Sequence, residues 1–483
     1  MSEVPFRSAV ELAADIRAKR IGCRELLDLY LQRIERYNPT INAVIVTDVA
    51  GARRRADAAD AALQRGESWG SLHGVPMTVK ESFDVAGLPT TWGVPELKDS
   101  IAATNALAVE RFLAAGAVIF GKTNVPLMLA DWQSYNAIYG TTNNPWDTTR
   151  TPGGSSGGAA AALAAGLTGL EAGSDIGASI RNPAHYCGVR GHKPTYGICS
   201  PKGHALAGRV SVADISVIGP LARSSDDLAL ALQVMAGPDE IDGAGWRLKL
   251  PRPRHERLAD YKIALMLEDP TCAVERAVQD ALQRLGDFLA KRGATVDDRA
   301  RPEIDTTRAH AAYVKLLRAA TSGRQSNAEF AANAAAANAL ERGDDSYYAR
   351  MLRANTMSHR DWLGVDEERH RMRLAWSAFF REYDLLLCPV ASTVAPPHDQ
   401  QGERWERMIT VDGKRVPTTD QLFWAGYTCA YYLPATAAPI DDSNGLPIGV
   451  QITAPQYGDL TSIHFARLLE REYRGFVPPP GYG

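Results

Sequence analysis

The sequence predicts an α/β protein built as one large domain. From residue 70 onward, short apolar segments bounded by Gly and Pro are typical of buried strands. A helix-like segment at 106–115 separates two of them, at 75–79 and 118–120, which indicates a βαβ unit. The chain has 483 residues, 45% of them hydrophobic, so it can bury a large core. Disordered and collagen-like classes are excluded.

The chain is predicted to begin with a helical arm over residues 1–68. Ser8 and Glu11 have the spacing of a capping box, and apolar residues recur at helical spacing from Leu26 to Ile34. Residues 50–64 are rich in Ala, Arg and Asp, which is typical of a solvated helix.

Helices and strands alternate through the rest of the chain. We expect helices at 227–235, 274–292 and 460–473, polar helices across 308–380, strands at 262–267, 295–296, 383–390 and 448–452, and a Pro-rich charged loop at 396–420. The single domain 1–483 then consists of the arm, a core at 70–235, a variable helix-and-loop insertion at 300–420, and C-terminal core strands with a helix at 421–483.

Charge and cysteine usage exclude several classes of partner. Lys and Arg number 53 and Asp and Glu 56, so the net charge of −3 favours neither nucleic acid nor an anionic membrane. The six cysteines form no CxxC pair and no HExxH occurs, so no metal site is predicted. Scattered cysteines, no apolar signal segment and no long apolar run lead us to expect a soluble, cytoplasmic protein with buried free thiols.

One segment fits a nucleotide-binding pattern. Residues 116–123 match G-x-x-x-x-G-K-[ST], which in a P-loop lies between a strand and a helix. Here a helix-like segment precedes Gly116, and the predicted strand falls inside the supposed loop. A buried strand running into a turn is favoured. The P-loop alternative would predict ATP binding that Lys122→Ala abolishes.

A second segment fits the nucleophile elbow of α/β-hydrolases. Residues 154–158 match G-x-S-x-G, a motif that needs an apolar strand immediately upstream. Residues 143–152 are polar and contain two prolines. His398, which such a triad would require, lies in a polar segment. An elbow is therefore disfavoured.

A third interpretation takes residues 151–197 as one unit with several flanking motifs. They are TPGGSSGGA at 151–159, GSDIGASIRNP at 173–183, CGVRGHKPTYG at 187–197, GVPMTVK at 74–80, GKTNVP at 121–126 and GLPIGVQ at 445–451. In this order they resemble the amidase signature family, over roughly residues 70–235 and 380–470. The resemblance implies a central mixed, twisted β-sheet covered by helices on both faces.

The resemblance also implies a Ser–Ser–Lys triad. By motif, Ser179 is the nucleophile, Ser155 the bridging serine and Lys80 the base, with a cis peptide before Ser155. The backbone N–H groups of Ile176, Gly177, Ala178 and Ser179 would form the oxyanion hole. No metal or organic cofactor is implied.

The chemistry explains why a lysine must be the base. A serine hydroxyl is a weak nucleophile unless a neutral base takes its proton, and the three motifs that contain Lys80, Ser155 and Ser179 have no histidine. Lysine ordinarily has a pKa of about 10.4, so Lys80 needs a pKa near ~7, which burial among apolar neighbours would supply.

Residues beside the triad are expected to have supporting roles. Ser156 is predicted to give hydrogen-bonding support, Asp175 and Arg181 to form a structural ion pair, and Cys187 to pack in the core. Ala178 departs from the family's usual glycine. If its φ is positive, the strain is on the order of 1 kcal/mol. His192 is a second departure, without a clear consequence.

By position, the segment after Asn124 should line the acyl pocket with Met128, Leu129, Gln133, Ser134 and Tyr135. A later group of apolar residues would line an entrance or pack in the core: Trp405, Met408, Phe423, Trp424 and Tyr427. Such a pocket favours aryl or hydrophobic amides.

We therefore expect amide hydrolysis through a seryl acyl-enzyme, with carbamate (urethane) and ester hydrolysis as extensions. The partner is a small-molecule amide or carbamate, with neither nucleic acid nor membrane, for a monomer or homodimer. The alternatives are the glutamine-hydrolysing subunit of a tRNA-dependent amidotransferase, and an inactive scaffold.

Overall fold

The computed structural model describes residues 4–483. The helices are α1 (Ala9–Arg17), α2 (Cys23–Ile41), α3 (Val49–Gln64), α4 (Leu107–Ala114), α5 (Gly157–Ala164), α6 (Arg181–Cys187), α7 (Ser225–Met235), α8 (Arg276–Lys291), α9 (Thr306–Ser322), α10 (Asn327–Ala339), α11 (Tyr347–Asn355), α12 (His359–Glu382), α13 (Leu422–Cys429) and α14 (Asp459–Glu472). The strands are β1 (Val44–Thr47), β2 (Pro76–Lys80), β3 (Val118–Thr123), β4 (Tyr135–Asn136), β5 (Gly140–Thr141), β6 (Glu171–Asp175), β7 (Arg190–Lys193), β8 (Val217–Ala222), β9 (Lys262–Leu265), β10 (Thr295–Asp297), β11 (Leu385–Pro389), β12 (Met408–Val411), β13 (Lys414–Pro417), β14 (Ala435–Ser443) and β15 (Leu446–Thr453).

The centre of the fold is a mixed sheet of eight strands, in the order β10-β9-β11-β15-β14-β7-β8-β6. Strand β9 pairs in parallel with β10 and β11, and the other neighbours pair antiparallel. Adjacent residues of β14 face opposite ways, so Ala438 packs in the core cluster that contains α8, while Ala437 packs in the cluster that contains α5 and α6. Helices therefore cover both faces, which confirms the predicted architecture.

A smaller sheet, in the order β1-β3-β2, positions the candidate base. Strands β2 and β3 are parallel, with α4 between them in sequence, so the predicted βαβ unit is confirmed. The N-terminal arm packs beside this unit. Helix α1 begins with the predicted capping box, in which the Ser8 Oγ accepts the Glu11 N–H at 3.1 Å.

Two predictions for the second half of the chain need correction. The Pro-rich segment 396–420 is not simply a loop, because β12 and β13 form an antiparallel hairpin within it. The predicted insertion at 300–420 also contains β11, which lies between β9 and β15 inside the central sheet. The sequence did not predict strands β1, β4, β5, β6, β7, β8 and β14. Each is short or rich in Gly, Ala and Pro, so none shows a clear alternation of apolar and polar residues.

Candidate active site

Lys80 is the last residue of β2, a strand that is buried at every position. Its Nζ donates to the Ser155 Oγ at 2.6 Å and to the Ser174 Oγ at 3.0 Å. Burial lowers the pKa of Lys80 to about 7, although the carboxylates of Asp175 and Glu171 act in the opposite direction. The side chain can therefore be a neutral amine near neutral pH. Ser174 was missed because nothing in its motif distinguishes it from a turn residue.

Ser155 follows a cis peptide bond, Gly154–Ser155, at the start of the turn into α5. A side chain at Gly154 would meet the backbone, since a Cβ there would lie 2.3 Å from the Asp131 carbonyl oxygen. Ser156 lies beneath this turn. Its N–H donates to the Ser179 carbonyl at 3.1 Å, and its Oγ accepts the Ser174 N–H at 3.5 Å. These contacts agree with the supporting role expected for Ser156.

Ser179 lies in the turn between β6 and α6, and an ion pair fixes that turn. Arg181 donates from Nη2 and Nε to Asp175 at 2.9 Å and 3.0 Å, and both side chains are fully buried. Burial alone would raise the pKa of Asp175, but the charge and hydrogen bonds of Arg181 outweigh it and lower the pKa to about 2. The structure thus contains the predicted ion pair.

The oxyanion prediction changes at one residue. The Ala178 N–H donates to the Asp175 Oδ1 at 2.9 Å, so it is not available to a substrate. Within residues 4–483, the N–H groups of Ile176, Gly177 and Ser179 have no acceptor. Ala178 has a φ of +66°, the positive value anticipated for a position where glycine is usual.

Two aromatic side chains hold the carbonyls of this segment. The Tyr313 hydroxyl, on α9, donates to the Ile176 carbonyl at 3.0 Å, and the Trp132 Nε1 donates to the Gly177 carbonyl at 2.7 Å. Because a peptide is planar, fixing a carbonyl also fixes the N–H of the next residue. Neither residue was predicted, and Tyr313 could not be, because it lies far along the chain in a helix without a motif.

Ser155, Ser174 and Ser179 line a cavity of about 840 Å³. Met128, Leu129 and Gln133 also line it, as expected. Tyr135 does not line it. Its hydroxyl instead accepts a hydrogen bond from the Arg407 Nη2 at 2.9 Å.

The expected polar pocket residues mostly bind other parts of the chain. The Gln133 side chain is bonded to the backbone of Asp399, accepting its N–H at 2.9 Å. Ser134 accepts the Gly157 N–H at 3.0 Å and therefore supports the Gly-rich turn.

The late apolar residues divide between the two expected roles. Trp405 and Met408, near or within the β12–β13 hairpin, line the cavity. Phe423, Trp424 and Tyr427, on α13, are buried in the main hydrophobic core.

Charged residues from the second half of the chain also line the cavity. Besides Arg150, four arginines from this half of the chain line the wall without a counterpart in the sequence prediction: Arg318, Arg324, Arg404 and Arg407. Their positions between 318 and 407 form no motif, so only the fold brings them to the site. The cavity wall also includes four carboxylates, those of Asp131, Glu275, Glu329 and Asp399, so it is more charged than the predicted apolar lining.

The competing motifs lack the required surroundings. Lys122, the supposed P-loop lysine, is fully buried on β3 and donates to the Pro89 carbonyl and the Thr90 hydroxyl. Residues 118–123 form β3, so Lys122 lies within a strand and not after a phosphate-binding loop, and the P-loop interpretation is wrong. Residues 143–152, upstream of Ser156, contain no strand, as the elbow would need. His398 contacts Asn143 and does not contact either serine.

The remaining cysteine and histidine predictions concern the core. All six cysteines are buried and free, and burial raises the pKa of the Cys187 thiol. His192 lies between Thr436 and Asp459, at 2.9 Å and 3.1 Å, which gives this departure a structural role. Across residues 4–483, no group of three His, Cys, Asp or Glu side chains is placed to hold a metal. No helix in the same part of the chain has the length and apolar character needed to cross a bilayer.

The chain is similar to known proteins over most of its length. The family model described as Amidase matches residues 25–462. Indoleacetamide hydrolase of Bradyrhizobium diazoefficiens is 34% identical over 470 residues, covering 96% of this chain and 86% of that protein. A glutamyl-tRNA(Gln) amidotransferase subunit of Anaeromyxobacter sp. (strain K) is 33% identical over 496 residues, or 97% of each. A solved bacterial aryl acylamidase of the amidase signature family has a TM-score of 0.81 at 24% identity, over 96% of both chains.

The fold and the family match define an amide hydrolase. The chain belongs to the amidase signature family, as its motifs predicted. The solved structure confirms the predicted fold. The names of the relatives cover more than one kind of amide, so the family alone does not give the substrate.

Proposed function

We propose that this protein hydrolyses aryl and other hydrophobic amides through an acyl-enzyme on Ser179, and that it accepts carbamates (urethanes) and esters as further substrates. The observation that supports this best is the buried Lys80 amine, 2.6 Å from the hydroxyl of Ser155. Ser155 lines the same cavity as Ser179. A neutral amine next to a serine hydroxyl is the arrangement that activates a serine nucleophile without histidine.

In the first step, the Ser179 Oγ attacks the substrate carbonyl carbon and a C–O bond forms. The Ser179 proton passes to Ser155, and the Ser155 proton passes to Lys80. The carbonyl oxygen becomes an oxyanion, to which the N–H groups of Ile176, Gly177 and Ser179 donate. No hydrogen bond joins the two serine hydroxyls in the described residues, and such contacts often form only when substrate binds.

In the second step, the C–N bond breaks and the leaving nitrogen takes a proton from Lys80 through Ser155. Proton delivery matters because an amide anion is a poor leaving group. Water then attacks the acyl-enzyme ester, and its proton follows the same path to Lys80. The ester C–O bond breaks, Ser179 regains a proton, and the acid leaves.

The cavity supports a hydrophobic substrate with an aromatic part. Its volume of about 840 Å³ lies in the range of sites for drug-sized molecules. Met128, Leu129, Trp132 and Trp405 supply apolar wall. Indoleacetamide and aryl acylamides, in the names of two similar proteins, are also aromatic amides.

The segment 300–420 shapes the entrance to this cavity. Residues of α9, α11 and the β12–β13 hairpin line it: Leu317, Tyr347, Asn355, Met408 and Ile409. The elements around Lys80, Ser155 and Ser179 therefore supply the chemistry, while this segment supplies much of the wall that faces the rest of the substrate.

The first test measures 4-nitroaniline release from an acyl 4-nitroanilide, and amine release from an aryl carbamate. Ser179→Ala should abolish both, whereas Ser68→Ala, at an exposed serine after α3, should leave them unchanged. Intact-mass spectrometry with a slow ester should show an acyl adduct on the wild type and none on Ser179→Ala. Turnover that survives Ser179→Ala would contradict the proposal.

A second candidate is a glutamine-hydrolysing component of an amidotransferase. It is favoured by the 33% identity to the glutamyl-tRNA(Gln) amidotransferase subunit over 97% of each chain. Glutamine belongs in the same assay. Ammonia release from glutamine, with no turnover of any anilide by the isolated chain, would favour this candidate over the proposal.

A further inference from the structure

Three arginine side chains from the second half of the chain line the same cavity. Arg318 projects from α9, and Arg404 and Arg407 precede the β12–β13 hairpin. Arg404 is close enough to Arg318, Arg407 and Asp131 for their charges to act on its ionisation. We refer to Arg318, Arg404 and Arg407 as the arginine wall.

The arginine wall contains more positive charge than its surroundings neutralise. Asp131 is paired with Arg407, at 2.6 Å between Oδ2 and Nη1. Arg404 has no ion pair and no hydrogen bond to any part of residues 4–483. Arg318 donates to the Tyr347 hydroxyl and lies 5.3 Å over its ring, but its Nε is buried without a partner in the same residues. Within the described part of the chain, Asp131 is therefore the one carboxylate whose charge acts strongly on Arg404, and it is already paired with Arg407.

Other carboxylates on the cavity do not correct this imbalance. Glu329 accepts hydrogen bonds from Ser326 at the start of α10, and Asp399 accepts the Gln401 N–H. Glu275 belongs to the turn before α8. Among the described residues, none of the three lies within 4.0 Å of an Arg318 or Arg404 nitrogen.

An unpaired guanidinium in a partly enclosed site is unfavourable. Arginine stays charged at every accessible pH, so it cannot neutralise itself as a buried lysine does. Burial, and then the neighbouring Arg318 charge, lower the pKa of Arg404. A carboxylate is the planar anion that a guanidinium binds best, through two parallel hydrogen bonds.

We propose that Arg318 and Arg404 bind a carboxylate carried by the substrate, at a position remote from the bond that is cleaved. This rests on the proposed function and narrows it, from hydrophobic amides to amides that combine an aryl or alkyl part with a carboxylate. The wall is connected to the reaction site through two adjacent residues. Asp131 pairs with Arg407, and Trp132 donates to the Gly177 carbonyl beside the proposed oxyanion hole.

The test compares matched substrates that differ only in the carboxylate. One series is the mono-4-nitroanilides of succinic, glutaric and adipic acids, each paired with the alkanoyl 4-nitroanilide of equal length. A second pair, N-acetyl-4-aminobenzoate and acetanilide, places the carboxylate on the amine side. In one or more pairs, we expect the wild type to show a kcat/KM at least about tenfold higher for the carboxylate-bearing substrate than for its neutral partner. Most of this difference should come from a lower KM.

The variants assign that preference to the two arginines. Arg318→Gln, Arg404→Gln and the double variant should reduce the preference to about one, while turnover of the neutral anilide changes less than threefold. Arg404→Lys should keep part of it, since it keeps the charge and loses the planar fork. Arg360→Gln removes an exposed arginine of α12 and should keep all of it.

The outcomes separate this inference from the proposed function. Suppose that neutral anilides are hydrolysed and that this activity depends on Ser179. If no pair then shows a preference for the carboxylate, or if the preference survives in the double variant, the carboxylate site is overturned and the proposed hydrolase activity stands. No amine release from any member of any pair would instead overturn the proposed function, and the carboxylate site with it. The neutral member of each pair also reports whether a variant has folded.

Discussion

The ionisation of Lys80 gives the most direct quantitative prediction. Its pKa of about 7 lies well below the ordinary value of 10.5. That difference corresponds to about 5 kcal/mol against the ammonium form. At pH 7 about half of the molecules would hold the neutral base, against roughly one in 3,000 for an ordinary lysine.

The expected result is a pH profile with one rise. For a neutral anilide, kcat/KM should increase about tenfold between pH 6 and pH 8 and then level off, because the neutral amine is the active form. A lysine with its ordinary pKa would give a rise of about tenfold per pH unit that continues to about pH 10. A profile that is flat between pH 6 and 8, or one that still climbs above pH 9, would refute the reasoning.

A single substitution identifies the group that titrates. The charges that act on Lys80 are those of Asp175, Glu171, Glu81 and Arg324. Burial raises the pKa of Glu171 to about 8, so it also titrates in this range. In Glu171→Gln the rise in kcat/KM should remain, with its midpoint at pH 7 or slightly lower. The midpoint falls because loss of a nearby carboxylate stabilises the ammonium form of Lys80 less. Disappearance of the rise would mean that Glu171, and not Lys80, controls the profile.

Three further predictions concern the turn that contains Ser179. Tyr313→Phe removes the hydrogen bond to the Ile176 carbonyl and should lower kcat by roughly five- to tenfold, with KM within threefold of the wild-type value. Steady-state kinetics on an anilide measure both constants, and a change in KM alone would contradict the prediction. Gly426→Ala should lower the free energy of unfolding by about 1–3 kcal/mol in urea titrations, since its Cβ would lie 2.3 Å from the Tyr313 ring. Asp175→Asn should lower it by about 3–5 kcal/mol because Arg181 is left buried without its partner, and a loss below about 1 kcal/mol would contradict that expectation. In the wild type, the contribution of Asp175 should be present above its ordinary pKa of 3.8 and disappear as the pH falls toward 2.

The proposed reaction centre could be located from the sequence because its residues belong to short motifs at fixed spacing. Lys80, Ser155 and Ser179 each lie in a run of glycines and small residues whose order along the chain carries the resemblance. The structure brings the Lys80 amine to Ser155 and places Ser155 and Ser179 on one cavity. The hydrogen bond from the Ala178 N–H to the Asp175 carboxylate was not predictable, since it depends on the orientation of the Asp175 side chain in the folded structure.

The walls of the cavity were not predictable for a different reason. Arg318, Arg404 and Tyr313 come from a polar, Ala-rich region and a Pro-rich charged segment, where sequence periodicity shows only helix or loop. The sequence of these segments is typical of solvent-exposed arginines. Only contacts between residues far apart in sequence determine which of these arginines line the cavity. The same holds for Tyr135, which was expected in the pocket because it lies in the segment after Asn124, but whose hydroxyl instead binds Arg407.

Helix α9 contributes both to the turn that contains Ser179 and to the wall of the cavity. Its Tyr313 hydroxyl donates to the Ile176 carbonyl, near the proposed nucleophile Ser179, while Arg318, a little over one turn further along, lines the cavity. A substitution that shifts this helix would therefore change the rate of the chemical step and the choice of substrate together. Anyone who redesigns the specificity of this protein will find the β12–β13 hairpin the safer place to begin. It lines the same cavity, and none of its residues bonds to the backbone of residues 176–179.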